Sequence, residues 1–166
     1  MPEGPEIRRA ADRIAKRLVG REIEAIELHY PPISEFQSVV SDSQVVSVAS
    51  RGKAMLTRFD CDLSMYSHNQ LYGRWTVNRR STELKWGRAL RAEMLTESHA
   101  VRLWSATDVE IIPTCDEESH PFISRLGPDV LDESCTPEVI MEMLGEKRYR
   151  NRKASNLMLD LSLIHI

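Results

Sequence analysis

The spacing of apolar positions changes period along the chain, and each change marks a new kind of element. Ile7, Ala10, Ala11, Ile14 and Leu18 recur at the i, i+3, i+4, i+7, i+11 spacing of one helical face. Pro5 falls in the first turn, where a missing N–H does no harm, and Gly20 supplies a stop. A helix is therefore predicted from about Pro5 to Val19. From Glu22 to about Ile112 the period falls to two. Ile23–Leu28, Gln44–Ser50, Ala54–Phe59, Leu63–Ser67, Arg74–Asn78, Ala89–Leu95, Ala100–Ser105 and Val109–Ile112 read as short strands. Turn signals separate them: Pro31-Pro32, Arg51-Gly52, Asp60 with Asp62, Asn69 with Gly73, and Glu97-Ser98. Many short strands at this spacing argue for a β-sandwich or barrel with the amino-terminal helix packed against it. Helical spacing then returns. Thr136 reads as an N-cap with Pro137 in the first turn, Val139, Ile140, Met143 and Leu144 form an apolar face, and Gly145 ends it. A second helix is expected from Ala154 to about Leu163. The fold class is α+β, mostly β.

Composition adds limits rather than identity. The 166 residues suffice for one domain and part of another, and 42% hydrophobic residues can build a core. No apolar run is long enough to span a membrane, and charges recur too early for a secretory signal, so the cytoplasm is the default. Cys61, Cys115 and Cys135 are scattered and form no Cys-x-x-Cys, which suggests neither a zinc ribbon nor a disulfide framework. A net charge of −3 does not announce a nucleic-acid binder, but its distribution is uneven. Arg8, Arg9, Arg13, Lys16, Arg17 and Arg21 crowd residues 1–21; Lys147, Arg148, Arg150, Arg152 and Lys153 form a second cluster. The stretches Asp108 to Glu118 and Asp129 to Glu146 are acidic. Two basic clusters on an acidic body could track a phosphate backbone; two solvated helix faces would read the same way.

The candidate chemistry gathers at Met1-Pro2-Glu3-Gly4-Pro5-Glu6. Removal of Met1 would leave Pro2 as a terminal secondary amine, and a free α-amino group titrates near about 7.7–8.0. Such an amine attacks an aldehydic carbon to give an iminium, an electron sink. Glu3 places a carboxyl beside it and Glu6 follows a helical turn later. The bland alternative is an ordinary solvated start. In Ser50-Arg51-Gly52-Lys53-Ala54 the glycine allows a sharp turn that presents Lys53 at a strand end, near any anionic group; it also reads as a surface hairpin lysine. In Tyr66-Ser67-His68-Asn69-Gln70-Leu71-Tyr72-Gly73 a glycine-closed loop carries polar, aliphatic and aromatic residues at its tip. These could fill the gap left by an everted base, or Leu71 and Tyr72 could turn inward as core. His68 reads as a loop hydrogen-bonding residue. Trp75 and Trp104 read as core, and Trp86, in a basic loop with Lys85 and Arg88, as exposed. His120-Pro121-Phe122 and Gly127-Pro128-Asp129 are turn chemistry closing a domain, with Arg125 at the surface and Asp129 as a turn or cap.

Taken in order, several stretches resemble the formamidopyrimidine-DNA glycosylase/endonuclease VIII family. They are the hexad, Arg51-Gly52-Lys53, Asn69-Gln70-Leu71-Tyr72-Gly73, His120-Pro121-Phe122 with Gly127 to Leu131, and Arg150-Asn151-Arg152 leading to Leu157-Met158-Leu159-Asp160. The later ones match its endonuclease VIII branch. The resemblance implies an amino-terminal helix on a two-sheet β-sandwich over residues 1–131, then over 132–166 the start of a helix–two-turns–helix domain. It covers about Pro2 to Asp160; the tail 161–166 departs from the pattern, and the chain is expected to be truncated there, without the family's zinc finger. The family's structural zinc would lie in that missing part, so no metal or cofactor is expected here. The implied activity is that of a bifunctional DNA glycosylase and abasic-site lyase of base excision repair for oxidised pyrimidines. Pro2, Glu3, Lys53 and Glu6 would be catalytic. Gln70, Leu71, Tyr72 and Arg125 would touch DNA. The implied partner is damaged double-stranded DNA, met by a monomer at the bacterial nucleoid. A catalytically silent, weakly DNA-binding fragment is the alternative, and a small-molecule enzyme with a proline general base is a remoter one.

Overall fold

The computed structural model describes residues 2–83 and 87–165; the readings of Met1, Lys85, Trp86 and the last residue of the tail lie outside the described residues. Its eight strands are β1 (Ala25–Leu28), β2 (Val45–Arg51), β3 (Ala54–Phe59), β4 (Leu63–His68), β5 (Arg74–Arg79), β6 (Leu90–Leu95), β7 (His99–Trp104) and β8 (Asp108–Pro113). They form two antiparallel four-stranded sheets, ordered β1-β6-β7-β5 and β2-β3-β4-β8. Each predicted strand is present, with ends displaced by a residue or two.

Helix α1 (Gly4–Leu18) buries Ile7, Ala11, Ile14 and Leu18, the face its periodicity specified. Between α1 and the facing sheets lie Ile26, Met55, Met65, Met94, Val101 and Leu103, all buried. Trp75 and Trp104 are buried as expected. Each indole N–H is satisfied, by Ser67 Oγ at 3.2 Å and Thr76 Oγ1 at 2.9 Å.

The Pro31-Pro32 pair proves to start a helix rather than a simple turn. Two short helices follow, α2 (Pro31–Ser34) and α3 (Gln37–Val40). Proline is tolerated in a first helical turn, and Ile33 and Val40 anchor the pair in the core. The Gln37 amide then caps the edge strand β1, accepting from Leu28 N–H and donating to Ile26 C=O, both at 2.7 Å. An exposed sheet edge is satisfied in this way.

A strap of 3-10 turns at Thr114–Ser119 and Ile123–Arg125 covers the outer face of the second sheet. Its buried Glu117 accepts from Arg58 Nε at 2.8 Å and from Ser64 Oγ at 2.6 Å. Tyr66 and His120 lie ring to ring at 4.1 Å, with Phe122 beside them. The His-Pro-Phe stretch is thus the apolar fastening of the strap.

Helix α4 (Pro137–Leu144) begins at Thr136, whose hydroxyl accepts from Val139 N–H, and ends at Gly145. The second carboxy-terminal helix is much shorter than expected: α5 spans only Ala154–Leu157. Asp160 competes with the helix, accepting from Ser162 N–H at 2.9 Å and Ser162 Oγ–H at 2.7 Å. The Ser162 hydroxyl and backbone bonds, with Arg152, hold the Asp160 carboxyl at about 2. The chain then turns inward. Leu163 and His165 are buried, and His165 exchanges backbone bonds with Pro128 C=O and Val130 N–H. The tail therefore packs against 127–130 instead of continuing an exposed helix. Among the described residues no helix is long and apolar enough to cross a membrane.

Candidate functional site

The first turn of α1 is locked from within. Glu3 N–H donates to the Glu6 carboxylate at 2.9 Å, while Glu3 C=O accepts from Glu6 and Ile7 N–H groups. This fixes Pro2 at the positive end of a 15-residue helix. The Glu3 carboxylate meets Lys53 Nζ at 2.7 Å. Lys53 is delivered by the turn between β2 and β3. Gly52 there has φ +57°, and an added Cβ would stand 3.1 Å from the Leu126 side chain, so glycine suits both the backbone and the space. Arg51, on the other side of the turn, pairs with Glu118 of the strap.

The loop after β4 is the second component. Gly73 N–H donates to Asn69 C=O at 2.7 Å, and a Cβ on Gly73 would lie 2.5 Å from that same oxygen. The arch closes only around glycine. Gln70 sits at φ +48°, held by His68 Nδ1 accepting its N–H at 3.2 Å and by Thr107 donating to its Oε1 at 3.0 Å. Arg88 donates to Tyr72 C=O at 2.6 Å. The arch leaves Leu71 and Tyr72 each 71% exposed, so the inward-packing alternative does not hold. His68 makes the loop bond expected of it. Burial pushes its pKa below the ordinary 6.5; Asp108 opposes this and Lys53 reinforces it. A neutral ring is the form that can accept at Nδ1. Burial, with the Asp108 carboxylate next, pushes the Tyr66 hydroxyl upward, so it remains a hydrogen-bond donor.

These two components share one cleft of about 310 Å³, lined by Pro2, Glu6, Ala10, Asn69, Leu71, Tyr72, Arg74 and Arg88. A second, more apolar cleft of about 280 Å³ lies on the other side of Glu3 and Pro5, against Val130, Met158, Leu159 and Ile164. Pro2 and Glu6 are therefore brought together with Leu71 and Tyr72 of the tip, whereas Glu3, paired with Lys53, faces the second cleft, and Lys53 and Gln70 line neither. Arg125 is not among the residues lining either cleft. It is exposed on the strap, with Nε donating to Pro121 C=O at 2.6 Å. Asp129 accepts from Leu131 N–H at 2.9 Å and approaches Arg8 at 4.0 Å, the turn-building part given it by its sequence context. Of the basic clusters, Arg8 also pairs with Asp12, and Arg152 pairs with Asp160; Lys147, Arg150 and Lys153 are exposed. Among the described residues no His, Cys, Asp and Glu side chains gather as a metal-holding group.

Asn69, Arg74 and Arg88 acquired no part in the site from their sequence. The signal that places the two arginines is sheet register. Arg74 on β5 and Leu90 on β6 both pair with Trp104 of the central β7, from opposite sides. The segments entering those strands therefore run side by side, bringing Arg88 to Tyr72.

A family profile described as the formamidopyrimidine-DNA glycosylase N-terminal domain matches residues 1–107. Endonuclease 8 of Escherichia coli (strain 55989 / EAEC) is 43% identical over 164 residues, covering 99% of this chain and 62% of its own length. Endonuclease 8 of Escherichia coli O157:H7 is equally similar, again with 62% of its length covered. This chain thus spans less than two thirds of the length of these relatives. Among solved structures, Lactococcus lactis formamidopyrimidine-DNA glycosylase non-covalently bound to DNA containing an AP site superposes with a TM-score of 0.77 at 19% identity, over 99% of this chain and 63% of that one. MutM in complex with DNA containing carbocyclic 8-oxo-G gives 0.75 at 18% identity, over 99% and 64%. At such identities the superpositions speak for the fold: a helix on two antiparallel four-stranded sheets.

Proposed function

The chain belongs to the formamidopyrimidine-DNA glycosylase family, and from that membership we propose that it carries the Schiff-base chemistry of a bifunctional DNA glycosylase and abasic-site lyase acting on oxidised pyrimidines in double-stranded DNA. One observation carries the reading: Pro2, at a helix N-terminus, lines a cleft walled by the Leu71–Tyr72 arch, and the next residue, Glu3, is ion-paired with Lys53 at 2.7 Å. An amine and an acid in successive residues, with a cation held against the acid from the β2–β3 turn, are what imine chemistry beside a phosphodiester requires.

The anomeric carbon of a damaged nucleotide is out of reach inside the stack, so the nucleotide is everted at a cost of a few kcal/mol. Gln70, Leu71 and Tyr72 occupy the gap. The Pro2 nitrogen, freed by loss of Met1, attacks C1′; the C1′–N bond to the base breaks and the base leaves with its electron pair. The Glu3 carboxylate takes the N–H proton of the nitrogen that has attacked and passes it to the sugar-ring oxygen as the ring opens; the nitrogen lone pair so freed forms the iminium, and the departed base takes its proton from water. That cation acidifies C2′. Loss of a C2′ proton drives β-elimination, and the 3′ phosphate departs with the C3′–O pair. Lys53 neutralises the adjacent phosphate and, through Glu3, keeps the acid in place. Glu6 orients the first turn and with it the amine. Arg125 contacts phosphate at the outer edge.

Borohydride reduces the iminium to a stable amine, so trapping on abasic duplex reads the step directly. Pro2→Gly is expected to lower trapping at least about ten-fold, and Lys53→Ala by a similar factor, the size of one lost transition-state interaction. Undiminished trapping in Pro2→Gly contradicts the assignment.

A further inference from the structure

The Leu71–Tyr72 tip poses a physical problem. Two large apolar side chains stand 71% exposed on a short arch, where collapse onto the protein would remove them from water. What keeps the arch upright is its own closing backbone bond and a set of polar fasteners placed outside it. The Gln70 side is held by His68, by Thr107 and by the Asn69–Gly73 backbone bond. The Tyr72 side is held by Arg88, whose guanidinium donates to the Tyr72 carbonyl at 2.6 Å. A charged donor on a carbonyl makes one of the stronger neutral-acceptor bonds. It comes from a segment outside the loop and lines the same cleft as Pro2.

We propose that Arg88 is a positioning residue that holds the void-filling tip upright before DNA arrives, and so governs base excision more than strand scission. The inference rests on the wedge role given above to Gln70, Leu71 and Tyr72. Eversion of an intact damaged nucleotide opens a stacking gap that the tip must fill at once, and order fixed in advance is not charged to that step. A preformed abasic site has no base to displace and leans on the tip far less. Arg88 therefore sets the ratio between the two activities.

The test uses the 166-residue chain with Arg88→Ala and Arg88→Lys. Backbone order parameters for Leu71 and Tyr72 amides are expected near the rigid value of about 0.85 in the parent and below about 0.6 in Arg88→Ala, at an unchanged melting temperature. In single-turnover assays, release of 5-hydroxyuracil from duplex DNA is expected to fall about ten-fold, whereas β-elimination at a preformed abasic site falls by no more than about two-fold. Arg88→Lys, which can donate one bond to the same carbonyl, is expected to recover most of the difference. Unchanged order parameters overturn the proposal, as does an equal loss, or no loss, in both reactions. A parent chain that forms no borohydride adduct on abasic DNA counts against the proposed function instead, and the order parameters then decide the part of Arg88 alone.

Discussion

Met94, Val101 and Leu103 are fully buried between the two sheets, whereas α4 buries none of its eight residues and leaves Met141 68% exposed. The stretch after residue 131 has a small cluster of its own, Tyr149, Leu157 and Leu163, while Met158 and Leu159 stand 79% and 84% exposed. The contrast locates the precision of the site. Glu3, Lys53 and the arch hang from elements fixed by the large core, and a reactive constellation needs such rigid supports. The later stretch contributes one wall of the apolar second cleft and exposed cations, which tolerate looser placement.

The largest expected effect separates the two regions. Leu103→Ala should cost about 2–5 kcal/mol of stability, a buried leucine's loss of transfer energy plus its cavity. Leu159→Ala should stay within about 0.5 kcal/mol. Urea melts check both, and equal losses would break the comparison. Next is Gly73→Ala. Its Cβ would meet Asn69 O at 2.5 Å and Asn69 Cα at 2.7 Å, so the arch must open. We expect about 1–3 kcal/mol, the usual range for forced overpacking, with base excision falling more than abasic-site elimination. In the later stretch, Tyr149→Phe removes the 2.9 Å bond to Ser162 C=O and should cost about 1 kcal/mol in the same melts.

The smallest effect is a pH dependence in the arch. His68 has a folded-state pKa below its ordinary 6.5, so the fold disfavours its proton. Its contribution is complete above the unfolded value and is lost as pH falls through it towards the folded one. Protonation also takes away the Nδ1 acceptor for Gln70 N–H. Stability should therefore decline as pH falls through about 6.5. His68→Asn, whose Oδ1 can accept the same N–H without titrating, should flatten that slope, as followed by thermal melts across the range.

Much of this architecture is legible in the sequence because a half-buried strand and an amphipathic helix write their burial as a period. The eight strands and α1 did so, and Gly52 and Gly73 marked turns, the first needing glycine for its positive φ and the second for the space at Asn69. The early end of α5 was hidden because Leu157, Met158, Leu159 and Leu161 keep a helix-like composition. What stops that helix is the Asp160–Ser162 turn and the seat the tail finds against 127–130, neither of which is a matter of period. The part of Arg88 was hidden for a similar reason. It depends on which strands neighbour β7, and pairing across a sheet is not written in local spacing.

The most direct measurement of the central claim, that the amino-terminal helix and the sandwich assemble the imine chemistry, is to locate the adduct. The chain, shown by intact mass to begin at Pro2, is reduced with borohydride on a duplex carrying one abasic site, digested, and the modified peptide sequenced. The account predicts a deoxyribose adduct on the Pro2 nitrogen. An adduct on Lys53, or none on a chain that has lost Met1, contradicts it.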